Sequence, residues 1–127
     1  MLISTPISLG ELVDKISILK VKQKNIKNNN KLDQVNKELN YLQATLENHV
    51  TKDEIDVFLN SLIDINSRLW VIEDDIRECE RKKQFDQKFI DLARSVYFTN
   101  DKRANIKLDI NNKFGSDLVE VKSYEEY

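Results

Sequence analysis

Apolar side chains recur along the chain at steps of three and four residues, the spacing that places them on one face of a helix. The longest unbroken run consists of Ile55, Phe58, Leu62, Ile65, Leu69, Ile72, Ile76 and Cys79. A second stripe runs beside it and contains Leu59, Ile63, Asn66 and Trp70. This double pattern predicts a central helix over residues 53–82, about 45 Å long at 1.5 Å per residue, that is covered on two sides.

The same spacing predicts a helical hairpin before the central helix, with helices over residues 9–28 and 31–48. Ser8 and Glu11 form a capping box at the start of the first helix. Thr51 and Glu54 form a second capping box before the central helix.

A fourth helical region begins near Phe85, and Gly115 is placed to end it. Two alternatives remain open at residues 99–101, because Thr, Asn and Asp all favour helix N-caps: the helix either breaks there or continues. Residues 116–127 alternate apolar and charged positions, which predicts an extended tail and a minor β pairing with residues 2–7. Together these elements predict an all-α fold in one domain over residues 1–127, a coiled-coil-like bundle with short extended termini.

The composition narrows the classes of function. Two glycines and one proline in 127 residues are too few for a many-stranded β architecture. The single cysteine, Cys79, and the single histidine, His49, cannot form an intrachain disulfide or a four-ligand zinc site. The net charge of −2 argues against a nucleic-acid partner, and no apolar run approaches the roughly 18 residues of a membrane span. We therefore predict a cytoplasmic protein with a reduced thiol, no cofactor, no metal and no membrane partner.

Arginine is unevenly distributed and gives a first candidate site. All five arginines lie between residues 68 and 103, and Arg is preferred where a planar fork meets a carboxylate or phosphate. An acidic run overlaps them, and helical spacing predicts that Arg77 pairs with Glu73 and Glu80. The plainer interpretation is a solvated surface of ion pairs. A carboxylate metal site through Asp74 and Glu78 is a weaker alternative.

A second candidate lies between residues 93 and 107. If the helix breaks at residues 99–101, the new helix N-terminus with Arg103 and Lys107 forms an anion site. If the helix continues, Arg94, Tyr97 and Asp101 align as a polar stripe inside an apolar bundle. Such a stripe is either a satisfied structural network or a ligand site.

Motifs along nearly the whole chain resemble a small bacterial family of unknown function, also met in phage-like sequences. The resembling segments are Pro6-Ile7-Ser8, Gly10-Glu11-Leu12, Asp14-Lys15-Ile16, Leu69-Trp70, Ile72-Glu73-Asp74, Ile76-Arg77, Leu92-Ala93-Arg94-Ser95-Val96-Tyr97, Thr99-Asn100-Asp101, Arg103-Ala104 and Ile106-Lys107. The resemblance implies no particular reaction. It implies an association with cell-surface polysaccharide and glycosyltransferase systems, and it adds weight to the arginine-rich segments.

Two classes of function remain. The first is a non-catalytic interaction module that forms a homodimer or binds a protein partner, because the central helix has more apolar surface than two short helices cover. The second is a binder of, or an enzyme for, an anionic small molecule, phosphorylated or carboxylated. The candidate ligand- or partner-binding residues are Arg77, Arg94, Tyr97, Asn100, Asp101, Arg103 and Lys107, and no residue is assigned a catalytic role.

Overall fold

Four helices and no strand make up the ordered secondary structure, as the predicted all-α fold requires. They are α1 (Leu9–Asn25), α2 (Asn29–Glu47), α3 (Lys52–Arg81) and α4 (Gln87–Phe114). The computed structural model describes residues 1–127. The bounds of α3 agree with the predicted helix to within one residue at each end, because its uninterrupted apolar pattern leaves little ambiguity.

Short polar side chains begin three of the helices. Ser8 Oγ accepts a hydrogen bond from the Glu11 backbone N–H at 3.1 Å, so the predicted N-cap is confirmed, whereas the Glu11 side chain pairs with Lys107 and does not complete the capping box. Asn28 and Asp86 cap α2 and α4 in the same way. The second predicted capping box is wrong, since the Thr51 side chain makes no capping hydrogen bond at the start of α3.

Helix α1 packs against each of the other three helices, α2, α3 and α4. Eight of its 17 residues are buried, against six of the 30 residues of α3. The core is a cluster of buried apolar side chains from α1, α2, the first half of α3 and the end of α4. It consists of Leu12, Val13, Ile16, Leu19, Val35, Leu39, Leu46, Ile55, Leu59, Leu62 and Ile110.

The second half of α3 and the first half of α4 form a thinly covered hairpin, which we call the distal hairpin and define as residues 67–100. Cys79 is the only buried residue within it. Leu69, Ile72 and Ile76, which continue the apolar run of α3, are only half-buried. The chain therefore covers α3 on two sides only over its first half.

No break interrupts α4 at residues 99–101, and the helix is continuous from Gln87 to Phe114. The predicted alternative of an anion site at a new helix N-terminus is therefore wrong. Gly115 ends the helix with a left-handed backbone at φ 67°, a conformation that costs glycine little.

The tail after Gly115 runs back along α4, so the predicted β pairing with residues 2–7 is wrong. Lys122 Nζ lies 2.7 Å from Asp101 Oδ1, and Glu120 Oε2 lies 2.7 Å from Lys107 Nζ. Charged partners on α4 decide where the tail lies, and apolar alternation alone does not reveal them. None of the four helices is long and apolar enough to cross a membrane.

Candidate functional site

A row of polar side chains fills the contact between α1 and α4, which run antiparallel here. We call this set the α1–α4 polar interface. It consists of Gly10, Asp14 and Ser17 on α1 and Arg103, Lys107 and Asn111 on α4. Both helices contribute a polar position about once per helical turn, so each set lies on one face.

The centre of the interface is a buried ion pair. The Arg103 guanidinium donates from Nε to Asp14 Oδ1 at 2.9 Å and from Nη2 to Asp14 Oδ2 at 2.5 Å. Asn66 of α3 donates a third hydrogen bond to Asp14 Oδ1 at 3.0 Å. The hydrogen bond to Asp14 raises the pKa of Arg103 by more than burial lowers it, so the guanidinium stays charged.

Ser17 completes the hydrogen bonding around this pair. Its hydroxyl donates to the Asp14 backbone carbonyl at 2.6 Å and accepts from Asn66 Nδ2 at 2.7 Å. Asn66 therefore links α1 to α3 while Arg103 links α1 to α4. One carboxylate, on Asp14, holds three helices together.

Helices α1 and α4 approach each other closely at Gly10. A Cβ atom at this position would lie 2.5 Å from the Lys107 carbonyl oxygen of α4, so only glycine fits without moving a helix. The Gly10 N–H donates to Asn111 Oδ1 at 2.7 Å, and the Leu9 N–H donates to Ser116 Oγ at 3.1 Å. The free N–H groups at the start of α1 are thus satisfied from α4 and the tail.

Lys107 is enclosed at the edge of this interface and contacts two carboxylates. Its ammonium lies 2.8 Å from Glu11 Oε2 and 2.7 Å from Glu120 Oε2. Burial lowers the pKa of Lys107, but the hydrogen bonds to Glu11 and Glu120 outweigh it and raise the pKa above its ordinary value. Lys107 therefore joins α1 to the tail through α4.

A groove of about 500 Å³ opens beside the polar interface, between α1, α3 and α4. Its apolar wall is formed by Ile18, Val21, Leu69 and Trp70. Its polar wall is formed by Lys22, Asn66, Glu73, Asp74, Arg77, Asn100 and Arg103. Charges of both signs therefore face the same space next to the single tryptophan.

The structure separates the predicted site residues into groups. Arg77, Asn100 and Arg103 line the groove together, whereas Lys107 pairs with Glu11 and Glu120 and does not line it. The predicted pair of Arg77 and Glu73 is present at 3.5 Å. Glu80 pairs with Lys83 instead of Arg77, at 3.7 Å.

Arg94, Tyr97 and Asp101, the remaining predicted residues, lie on the outer face of α4. The prediction that they form a polar stripe inside an apolar bundle is therefore wrong. Asp101 pairs with Lys122 and accepts a hydrogen bond from the Tyr127 hydroxyl, and these two hydrogen bonds lower its pKa. The Tyr97 and Tyr127 ring centroids are 5.4 Å apart. The Arg94 guanidinium carbon lies 5.7 Å from the Phe98 ring centroid.

Asp14 and Ser17 are the important residues that sequence reasoning missed. Their signal is the step of four and then three residues from Gly10 to Asp14 to Ser17, which is the same helical spacing as that of the apolar residues. Asp14 lies among the apolar positions Leu12, Val13 and Ile16, and a carboxylate at such a position indicates a partner with complementary charge. The arginine of α4 is that partner.

The fold and the groove define a small four-helix protein with a mixed-charge groove and no group of three or more His, Cys, Asp or Glu side chains placed to hold a metal ion. A model of a family of unknown function, DUF6165, matches residues 3–127, so the chain belongs to this family. No curated protein and no solved structure matches the chain.

Proposed function

We propose that this protein is a non-catalytic helical interaction module that associates with a second copy of itself through the distal hairpin. The observation that supports the proposal is burial: within residues 67–100 only Cys79 is buried. The four helices leave most of the apolar run of α3 in this region half-covered. Covering such a surface is the usual driving force for association.

Apolar side chains on both helices of the distal hairpin are exposed to solvent. Val71 on α3 and Ile90 on α4 are among them, together with Phe85 in the connecting turn. Phe85 and Phe89 stack edge to face with centroids 5.3 Å apart, so this end of the hairpin is also a preformed aromatic surface.

Charge complementarity favours a second copy as the occupant. Asp74 and Asp75 come first near the end of α3, and Arg81, Lys82 and Lys83, which pair with Glu78 and Glu80 of the same chain, come last. Asp74 and Asp75 have no ion-pair partner within the chain. A two-fold axis that crosses two α3 helices antiparallel places the acidic segment of one opposite the basic segment of the other.

Sedimentation equilibrium with two matched valine variants tests the proposal. Val71→Glu introduces a charge into the distal hairpin, where Val71 is 57% exposed, and we expect it to raise the dimer dissociation constant about tenfold or more. Val57→Glu is the control, because Val57 lies on the first half of the same helix and is 69% exposed. We expect the control to change the dissociation constant less than about twofold.

Two outcomes would contradict the proposal. One is a wild-type protein that sediments as a monomer up to about 1 mM, since a dimer weaker than that contributes little free energy. The other is equal weakening by the two variants. The link to cell-surface polysaccharide systems that the sequence resemblance implies stays a prediction.

A further inference from the structure

Arg103 lines the groove and keeps guanidinium N–H donors that Asp14 does not take. A guanidinium carries five N–H donors, and Asp14 takes one from Nε and one from Nη2. The remaining donors lie on Nη1 and on the second position of Nη2, along the edge that faces away from Asp14. Because a buried carboxylate fixes the plane of the guanidinium, this second edge is already oriented before anything binds.

Lys22 is the cation of the groove that is left for an anion at that edge. Asp14 compensates Arg103, and Glu73 compensates Arg77, but Lys22 has no ion-pair partner in the chain although it lines the same groove. The Asn100 amide lies one turn before Arg103 on α4 and lines the groove beside it. A planar fork next to an amide donor and a free ammonium matches a carboxylate or a phosphate monoester.

The α3 side of the groove calls for a different chemistry. Asp74 lines the groove without an ion-pair partner, and a carboxylate there accepts hydrogen bonds from hydroxyl groups. Trp70 offers an aromatic surface to an apolar ring face. The Asp74 carboxylate repels anions, so the anionic group and the hydroxyl groups belong at opposite ends of one small molecule.

We propose that this groove binds a small hydroxylated organic anion, with its carboxylate or phosphate on the free edge of Arg103 and its hydroxylated body between Trp70 and Asp74. The groove volume of about 500 Å³ is in the range of small-molecule sites. Six of the eleven residues that line the groove, Asp74 among them, also lie in the distal hairpin, so fluorescence reports the ligand and sedimentation reports the dimer, and each proposal can fail without the other.

Tryptophan fluorescence reads out this groove directly, because Trp70 is the only tryptophan in the chain. The probes are glucuronate, glucose 6-phosphate and neutral glucose, which share a hydroxylated ring and differ in the anionic group. We expect a saturable change with at least one of the anions and none with glucose. Tighter binding of glucuronate indicates a carboxylate ligand, and tighter binding of glucose 6-phosphate indicates a phosphate ligand.

Two arginines of α3 provide a matched pair of variants. Arg77 lines the groove, is 72% exposed and pairs with Glu73 at 3.5 Å. Arg68 does not line it, is 59% exposed and pairs with Asp64 at 3.4 Å. We expect Arg77→Gln to weaken binding of the anion about tenfold and Arg68→Gln to change it less than about twofold.

Arg103 itself is unsuitable for this test, since its removal leaves Asp14 buried without its partner. Asn100→Asp serves as the second variant instead of an Arg103 variant. Aspartate keeps the shape of the asparagine side chain and places a negative charge beside the anion subsite. We expect it to weaken anion binding at least about tenfold, with unchanged circular dichroism. Three results would overturn the proposal: no saturable response to any probe up to about 20 mM, glucose binding as tightly as the anions, or equal effects of the two arginine variants.

Discussion

The buried pair of Asp14 and Arg103 makes an asymmetric prediction about stability. The Asp14 side chain is 1% exposed and the Arg103 side chain is 26% exposed. Arg103→Met therefore leaves a carboxylate in the interior, where Asn66 is the only remaining side-chain donor. Asp14→Asn leaves a guanidinium that still reaches water.

The two single variants should differ in magnitude for this reason. Removing one partner of a buried ion pair costs about 3–5 kcal/mol when the remaining charge is left without compensation, and we expect this cost for Arg103→Met. We expect about 1–3 kcal/mol for Asp14→Asn, the cost of weakened hydrogen bonds to a group that solvent reaches. Either loss is a large share of the roughly 5–15 kcal/mol that stabilises a domain.

Urea denaturation of the wild type, both single variants and the double variant measures these terms. Combining Asp14→Asn with Arg103→Met removes both charges, so we expect the double variant to lose at least about 2 kcal/mol less than the sum of the single losses. Arg68→Met is the control, because its pair with Asp64 is exposed and contributes about 0–1 kcal/mol. Additive losses, or Arg103→Met no more harmful than Asp14→Asn, would refute the reasoning.

Two further predictions concern other contacts of α4 and α1. Gly10→Ala should destabilise the protein by about 1–3 kcal/mol despite the better helix propensity of alanine, because its Cβ meets a backbone oxygen 2.5 Å away; unchanged urea unfolding would contradict this. The hydrogen bond to Asp101 raises the pKa of Tyr127 to about 12, so near-ultraviolet titration should show one tyrosine ionising well after the others, and Asp101→Ala should bring it back towards its ordinary value. Because this pKa is raised on folding, the contact is fully present below about pH 10 and lost as the pH rises through about 12.

The apolar pattern determines much of this fold because side chains that recur every three to four residues lie on one face of a helix, and that face can pack against a neighbour. The apolar run of α3 and the Ser8 cap of α1 could both be predicted, since each depends on residues close together in the chain. Thr51 shows the limit of local rules. It has the residue type and the position of an N-cap, yet its hydroxyl makes no capping bond.

The candidate site was harder to predict because its partners are far apart in sequence. Asp14 and Arg103 are separated by 89 positions, and neither is unusual in its own helix. The arginine distribution pointed to segments of α3 and α4, and three of the seven candidate residues there line one groove. The spacing of the residues could not tell which face of α4 meets α1 and which meets the tail.

Long-range contacts of α4 also explain why the helix continues through residues 99–101. Asn and Asp favour helix ends because their side chains compete for nearby backbone groups. Here the Asp101 carboxylate is engaged by Lys122 and Tyr127 on the outer face, while Asn100 faces the groove on the inner side. With the Asp101 side chain held away from the backbone and no proline or glycine in the segment, nothing favours a cap strongly enough to interrupt the helix. Long-range contacts on both faces of α4 therefore decide a question that local propensity leaves open.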